Sequence, residues 1–251
     1  DADLALRALR LLDLTDLSDQ ANETGTLQLC ARAVAAPGPV AAICIWPQFL
    51  KLARQTLKAS PVRIATVINF PAGNGNCSLI GSDIAEAIAD GADEIDLVLP
   101  WRAFLAGDAE IAREMVTEAR GSCGDKTLKV ILETGEYPDQ AAVRAASELA
   151  IAAGADFIKT STGKTKTSAT PAAARTMLEA IKVSGRPVGL KPSGGLRTLA
   201  DARAYLDLAD EIMGPGWATA KTFRFGASGL YGVLADIIAG TAPAERTDGA
   251  Y

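Results

Sequence analysis

Three lysines stand inside runs that otherwise read as buried β-strand: Lys129 in TLKVILETG, Lys159 in DFIKTSTGK and Lys191 in PVGLKPSGG. Lysine is rarely buried without a partner. Taking its ammonium out of water is costly unless the group is paired or gives up its proton. Three such residues from three segments point to a site that needs an amine with a lowered pKa. At its ordinary pKa of ~10.4 an amine is almost wholly protonated at neutral pH and is a poor nucleophile. A second ammonium ~4 Å away, at an effective dielectric of ~20, costs about 4 kcal/mol, enough to lower that pKa by roughly three. Pairing Lys159 with Lys191 is therefore a physical route to a nucleophilic amine. Its attack on a carbonyl gives a Schiff base, an electron sink through which an adjacent carbon–carbon bond can be made or broken without a metal. The competing reading is an ion-paired polar layer that only fills a core, with Asp96 and Glu133 as counterions. One interior lysine favours that reading; three on facing strands favour chemistry.

Glycines supply a second constellation. Gly163 and Lys164 follow the strand of Lys159. Ser193, Gly194 and Gly195 follow that of Lys191, with Arg197 close behind, and Gly226, Ala227, Ser228 and Gly229 open a predicted helix. Backbone N–H groups at a helix N-terminus cradle a phosphate. A single glycine-rich loop mostly marks a turn, but three at one rim, with Lys164 and Arg197, fit a phosphate monoester.

Composition narrows the chemistry further. The chain has no histidine, which excludes Ser-His-Asp and Cys-His catalysis and every His-ligated metal site. Proton transfer then falls to carboxylates, lysines, tyrosines, thiols or water. Cys30, Cys44, Cys77 and Cys123 match no metal-knuckle spacing and read as reduced thiols of a cytoplasmic protein. A net charge of −5 and few aromatics argue against a nucleic-acid surface. No apolar run approaches the ~20 residues of a membrane span. The opening DADLALRALRLLDLTDL reads as amphipathic and acidic rather than as a signal peptide.

The elements that must position these residues alternate along 251 residues without a linker. Strand-like runs are expected at 39–47, 63–71, 94–100, 127–135, 157–163, 187–195, a weaker 210–214 (DEIMG) and 222–228. Ala-, Leu- and Glu-rich segments of helical spacing lie between them. Eight strands alternating with helices predict a single-domain (β/α)8 TIM barrel of the α/β class, covering 1–251 with a polar tail from about 240. The alternative is an open doubly wound sheet, weakened by the lack of GxGxxG after the first strand. Side chains alternate faces along a strand. Ile95, Leu97 and Leu99 thus oppose Asp96; Leu128, Val130 and Leu132 oppose Lys129 and Glu133; Ile158 opposes Lys159; Val188 and Leu190 oppose Lys191. With the aliphatic faces turned to the helices, Asp96, Lys129, Lys159 and Lys191 converge inside the barrel.

The segments LLDLTDL, AAICIWP, RIATVINFPAGN, GADEIDLVLP, LKVILETGE, GADFIKTSTGK, KPSGGLRT and RFGAS resemble the deoxyribose-phosphate aldolases, in that family's order, from Asp13 to Ser228. The resemblance implies a (β/α)8 barrel. It implies reversible cleavage of 2-deoxy-D-ribose 5-phosphate to D-glyceraldehyde 3-phosphate and acetaldehyde, through a Schiff base and with neither metal nor cofactor. It also raises a homodimer as the assembly to test. By position it implies that Lys159 forms the Schiff base, Lys191 lowers its pKa and Asp96 is the acid/base carboxylate acting with a water. Asp13, Thr15, Cys44 and Thr162 match substrate-site positions, and Cys44 reads equally as a small core residue. Gly163, Lys164, Gly194, Gly195, Gly226 and Ser228 match the phosphate loops, and Lys129 an interior support. Many relatives carry two serines in the last motif where this chain has Ser228-Gly229, so one hydroxyl contact to phosphate is expected to be missing. Tyr251 matches the terminal tyrosine of some members, which is read as able to reach the site and assist proton transfer, against the default of an inert tail. Two other readings stay open: a Schiff-base aldolase of a different sugar phosphate, and a non-catalytic sugar-phosphate binding barrel.

Overall fold

The computed structural model describes residues 1–243; Tyr251 and most of the expected tail lie outside the described residues. Eight strands form one sheet: β1 (Leu12–Asp16), β2 (Ala42–Ile45), β3 (Arg63–Ile68), β4 (Glu94–Val98), β5 (Thr127–Ile131), β6 (Phe157–Lys159), β7 (Gly189–Lys191) and β8 (Phe225–Ala227). All paired neighbours are parallel, in the order β7-β6-β5-β4-β3-β2-β1-β8. Parallel bridges Leu190–Phe223 and Ser193–Gly226 close β8 onto β7. The chain is a single-domain TIM barrel.

Helices α1 (Ala2–Leu9), α2 (Glu23–Val34), α3 (Leu50–Leu57), α4 (Ile80–Ala89), α5 (Trp101–Leu105), α6 (Ala109–Cys123), α7 (Gln140–Ala152), α8 (Pro171–Ser184), α9 (Leu199–Met213) and α10 (Leu230–Ile238) accompany the strands. Five of their starts carry side-chain caps. Asn22, Asp108, Asp139 and Thr170 each accept a backbone N–H of the first turn, and Thr198 and Asp201 form a reciprocal capping box. The helices bury the outward faces of the strands: Ile95, Leu97, Leu128, Val130, Ile158 and Leu190 belong to the main apolar core. Smaller apolar groups line the interior, Leu17, Cys44, Ala65 and Val67 on one side and Val98, Trp101 and Ile131 on the other. The parity expected from the sequence therefore holds.

Two expectations on elements do not. The first strand is Leu12–Asp16, inside the stretch that reads as an amphipathic N-terminus; its residues are buried on both faces save Asp16, as a barrel strand requires. DEIMG (210–214) is not a strand but the end of α9 and its cap. Its Ile212 continues the buried helical stripe of Leu208 and Ala209, and Asp210 pairs with Arg7 of α1 at 2.7 Å.

Candidate active site

The barrel interior is a charged layer sealed from water. Asp13, Asp96, Lys129 and Lys191 are 0% exposed and Lys159 is 1% exposed. Register explains the convergence: Asp96 sits opposite Lys129 across β4–β5, and Lys159 opposite Lys191 across β6–β7. Asp96 is the hub. Its Oδ2 accepts from Lys159 Nζ at 2.8 Å and from Lys191 Nζ at 2.7 Å, while Oδ1 accepts from Lys129 Nζ at 2.8 Å. Lys191 Nζ also lies 2.6 Å from Asp13 Oδ2. Lys129 Nζ lies 2.6 Å from Glu94 Oε2 and 3.6 Å from Asp13 Oδ2.

These contacts make the three amines unequal. Burial drives all of them toward the neutral form. Lys191, faced by both Asp13 and Asp96, is nevertheless held well above the ordinary lysine value. Lys129, faced by Asp96, Glu94 and Asp13, is also raised. Only Lys159 is lowered: burial is the larger cause, Asp96 opposes it, and the Lys191 charge adds to it. The neighbouring ammonium expected from the sequence is thus present, but desolvation does more than it does. The same cations outweigh burial at Asp96, whose carboxyl is held well below the usual carboxylate range by Lys129, Lys159 and Lys191.

Glu133 is not the counterion that the ion-paired reading assigns it. Its backbone is left-handed, φ 64°, which turns the chain out of β5. Its carboxylate accepts from Thr162 N at 3.0 Å, Thr162 Oγ1 at 2.6 Å and Thr165 Oγ1 at 3.3 Å. Burial pushes its carboxyl up. The Thr162 hydroxyl is therefore committed, donating to Glu133 and accepting Lys164 N at 3.0 Å. The Thr15 hydroxyl is turned onto its own strand, donating to Asp13 O at 2.8 Å. Cys44 is buried among Leu17, Ala65 and Val67 with its thiol pushed up by burial and by Asp96.

The loops after β6, β7 and β8 abut. A Cβ on Gly194 would lie 2.6 Å from Ser168 Oγ and 3.3 Å from Gly163 Cα, and one on Gly226 would lie 2.2 Å from Ser193 Oγ. Gly163, Gly194 and Gly195 all have φ near +80°, which side chains rarely adopt. Gly163, Gly194 and Gly226 are buried at this rim, Ser228 is half-buried, and Lys164 and Gly195 are exposed. Ser228 and Gly229 lead into α10. Glycine is thus required by positive φ at Gly163, Gly194 and Gly195, and by the crowding of Ser168 on Gly194 and of Ser193 on Gly226.

Two interior groups were not among the sequence-predicted site residues. Arg224, 5% exposed, donates from Nη1 to Asp13 Oδ1 at 2.6 Å and from Nη2 to Glu94 Oε1 at 2.8 Å. Its signal was available: Arg224 alternates with Phe223 and Phe225, as Lys129 does with Leu128 and Val130. Glu94 precedes Asp96 by two and shares its face.

Comparison with known proteins agrees with this geometry. Residues 9–229 match the DeoC/LacD family aldolase profile. The chain is 52% identical over 223 residues, 88% of its length and 86% of the relative's, to a deoxyribose-phosphate aldolase of Agrobacterium fabrum (strain C58 / ATCC 33970). Among solved structures it is similar to a candidate deoxyribose-phosphate aldolase of Toxoplasma gondii ME49, with TM-score 0.87, 26% identity and 95% of each chain covered. A tetrameric deoxyribose phosphate aldolase of Aeropyrum pernix shares the fold, with TM-score 0.76, 22% identity and 94% and 96% of the two chains covered. Among the described residues no helix is long and apolar enough to cross a membrane.

Proposed function

The chain belongs to the DeoC/LacD family of aldolases, and on that premise we propose that it cleaves 2-deoxy-D-ribose 5-phosphate reversibly through a Schiff base on Lys159. The observation that carries this reading is the sealed amine of Lys159. It alone among three buried lysines is poised to lose its proton, and it shares its single carboxylate oxygen with Lys191.

In the cleavage direction the neutral Lys159 amine adds to the C1 carbonyl of the open-chain sugar. Loss of water from the carbinolamine leaves a protonated imine. The C3 hydroxyl then gives up its proton, the C2–C3 electron pair moves into the imine, and D-glyceraldehyde 3-phosphate departs, leaving an enamine. Protonation at C2 and addition of water release acetaldehyde and return the free amine. Asp96 is held ionised by three lysines, so it is suited to accept protons and pass them on. The matching donor is Lys191, whose ammonium touches the same Oδ2, with a water completing the relay. The other end of the substrate is a phosphate dianion, for which the backbone of Gly163, Gly194, Gly195 and Gly226, with Ser228 and the Lys164 ammonium, forms the receiving rim. With Gly229 following Ser228, one hydroxyl is lost there; a hydrogen bond to a charged group is worth ~1.5–3 kcal/mol, so phosphate preference is weakened but kept. Thr162 serves by bracing the loop against Glu133, Asp13 by holding Lys191, and Thr15 and Cys44 by lining the floor. The free thiols of the four cysteines support a cytoplasmic setting, and the homodimer implied by the resemblance stays part of the reading.

Retro-aldol turnover measured with 2-deoxyribose 5-phosphate, free 2-deoxyribose and other pentose and hexose phosphates tests it. The expected result is highest kcat/KM for 2-deoxyribose 5-phosphate, with measurable cleavage of free deoxyribose. Higher kcat/KM for another sugar phosphate would transfer the assignment to that substrate.

A further inference from the structure

We propose that Arg224 is a positioning residue that keeps Lys159 unprotonated by making cations outnumber carboxylates in the sealed interior. The proposal rests on reading Lys159 as the nucleophile. Four cations, Lys129, Lys159, Lys191 and Arg224, contact three carboxylates, Asp13, Glu94 and Asp96. A guanidinium does not give up its proton inside a protein. The surplus proton must therefore leave an amine, and contact number decides which. Lys129 reaches three carboxylates and Lys191 reaches two; Lys159 reaches one oxygen, already shared with Lys191.

Every element facing Lys159 fits this account. β1 contributes Asp13 and β2 the Cys44 thiol, which burial keeps neutral. β3 contributes Ala65 and Val67, which do not titrate. β4 contributes Glu94 and Asp96, β5 Lys129, β7 Lys191, and the approach to β8 Arg224. Glu133, beyond the end of β5, has its oxygens on Thr162 and Thr165 and its carboxyl pushed up by burial, so it is a poor counterion. Without Arg224 the layer would hold three amines and three carboxylates. Asp13 Oδ1 and Glu94 Oε1 would be released, and all three amines could stay charged.

Arg224 also has structural contacts. Its Nε donates to Ala220 O at 2.5 Å and its guanidinium lies 5.7 Å from the Phe157 ring centre. A role confined to closing the barrel and one that acts through charge predict different titrations. The experiment is the pH dependence of borohydride trapping with acetaldehyde, followed on the Lys159 peptide, in the unmodified protein and in Arg224→Gln, Arg224→Lys and Glu94→Gln. Arg224→Gln should move the apparent pKa of trapping up by on the order of one pH unit, the scale of one buried charge. Glu94→Gln, which removes a carboxylate instead, should move it down, and Arg224→Lys should restore the original profile. Shifts of the same sign in the two Gln variants, or none, would overturn the proposal. If Arg224→Gln does not fold, Glu94→Gln decides: a downward shift supports the proposal and an unmoved or raised value overturns it. An adduct that maps away from Lys159 in the unmodified protein would instead sink the Schiff-base reading beneath it.

Discussion

Lys129, Lys159 and Lys191 are the same side chain at nearly the same burial, and the number of carboxylate oxygens each reaches is what separates them. This predicts opposite stability effects for one substitution. Lys129→Met takes away the ammonium that Glu94 Oε2 and Asp96 Oδ1 contact at 2.6 and 2.8 Å and should cost about 3–5 kcal/mol, the scale for breaking a buried ion pair. Lys159→Met leaves Asp96 Oδ2 still paired with Lys191 and replaces a desolvated amine with an apolar chain of similar length. It should abolish turnover and raise the midpoint of thermal unfolding, by about 2–4 °C per kcal/mol gained in a chain of this size. Thermal and urea melts of the two variants check this contrast, and a destabilised Lys159→Met would count against it. The lysines and Asp96 were legible because a charge alternating with aliphatics in a strand marks the face turned into the barrel, and several such charges on facing strands outweigh a polar filling layer. Arg224 carries the same alternation between two phenylalanines, so its signal was equally present in the sequence. The orientation of the Thr15 and Thr162 hydroxyls was not legible, because a hydroxyl's direction depends on partners supplied by other strands.

The strands β6 and β7 are shorter than their apolar runs suggest because side chains take over the ladder. Thr160 Oγ1 accepts Ser193 N at 2.9 Å, so the pairing continues through a hydroxyl just above the two lysines. This brings Ser193 against Gly226, where a Cβ would also lie 3.1 Å from Lys191 Cε. Gly226→Ala must therefore displace Ser193 or Lys191. We expect it to cut kcat by about 10²-fold, the scale of an ångström's misplacement of a reacting group, with folding retained; near-normal steady-state kinetics would contradict the argued close approach. At this scale the starts of α2, α6, α7, α8 and α9 are marked in the sequence by their capping residues. The first strand was not legible, since its five residues, Leu12 and Leu14 alternating with Asp13 and Thr15, follow the amphipathic helix α1 after only two residues. DEIMG misled because five residues carry too little periodicity to separate a strand from the last turn of a helix.

The eight-stranded barrel turns these local pairings into one interior, and its titration should be visible in the stability of the whole molecule. Asp13 and Asp96 have lowered folded values, so their contribution is present above ~3.9 and is lost as pH falls through the folded values. Lys129 and Lys191 have raised folded values, so theirs is present below ~10.4 and is lost as pH rises through them. Lys159 has the opposite sign to its neighbours. Between its folded value and ~10.4 the unfolded chain binds the proton that the native state has released, so stability rises with pH, by at most about 1.4 kcal/mol per pH unit. The four cysteines, whose thiols burial pushes up, contribute the opposite slope above ~8.5, but equally with and without the lysine. The unfolding free energy of the unmodified protein minus that of Lys159→Met should therefore rise with pH up to ~10.4, and a flat or falling difference would contradict the lowered Lys159.

The most direct test of the central claim is borohydride reduction in the presence of acetaldehyde, followed by peptide mapping. The account predicts a single stable ethyl group on Lys159, formed faster as pH rises through that amine's lowered pKa. A label on Lys191 or Lys129, or no label while turnover continues, would contradict it.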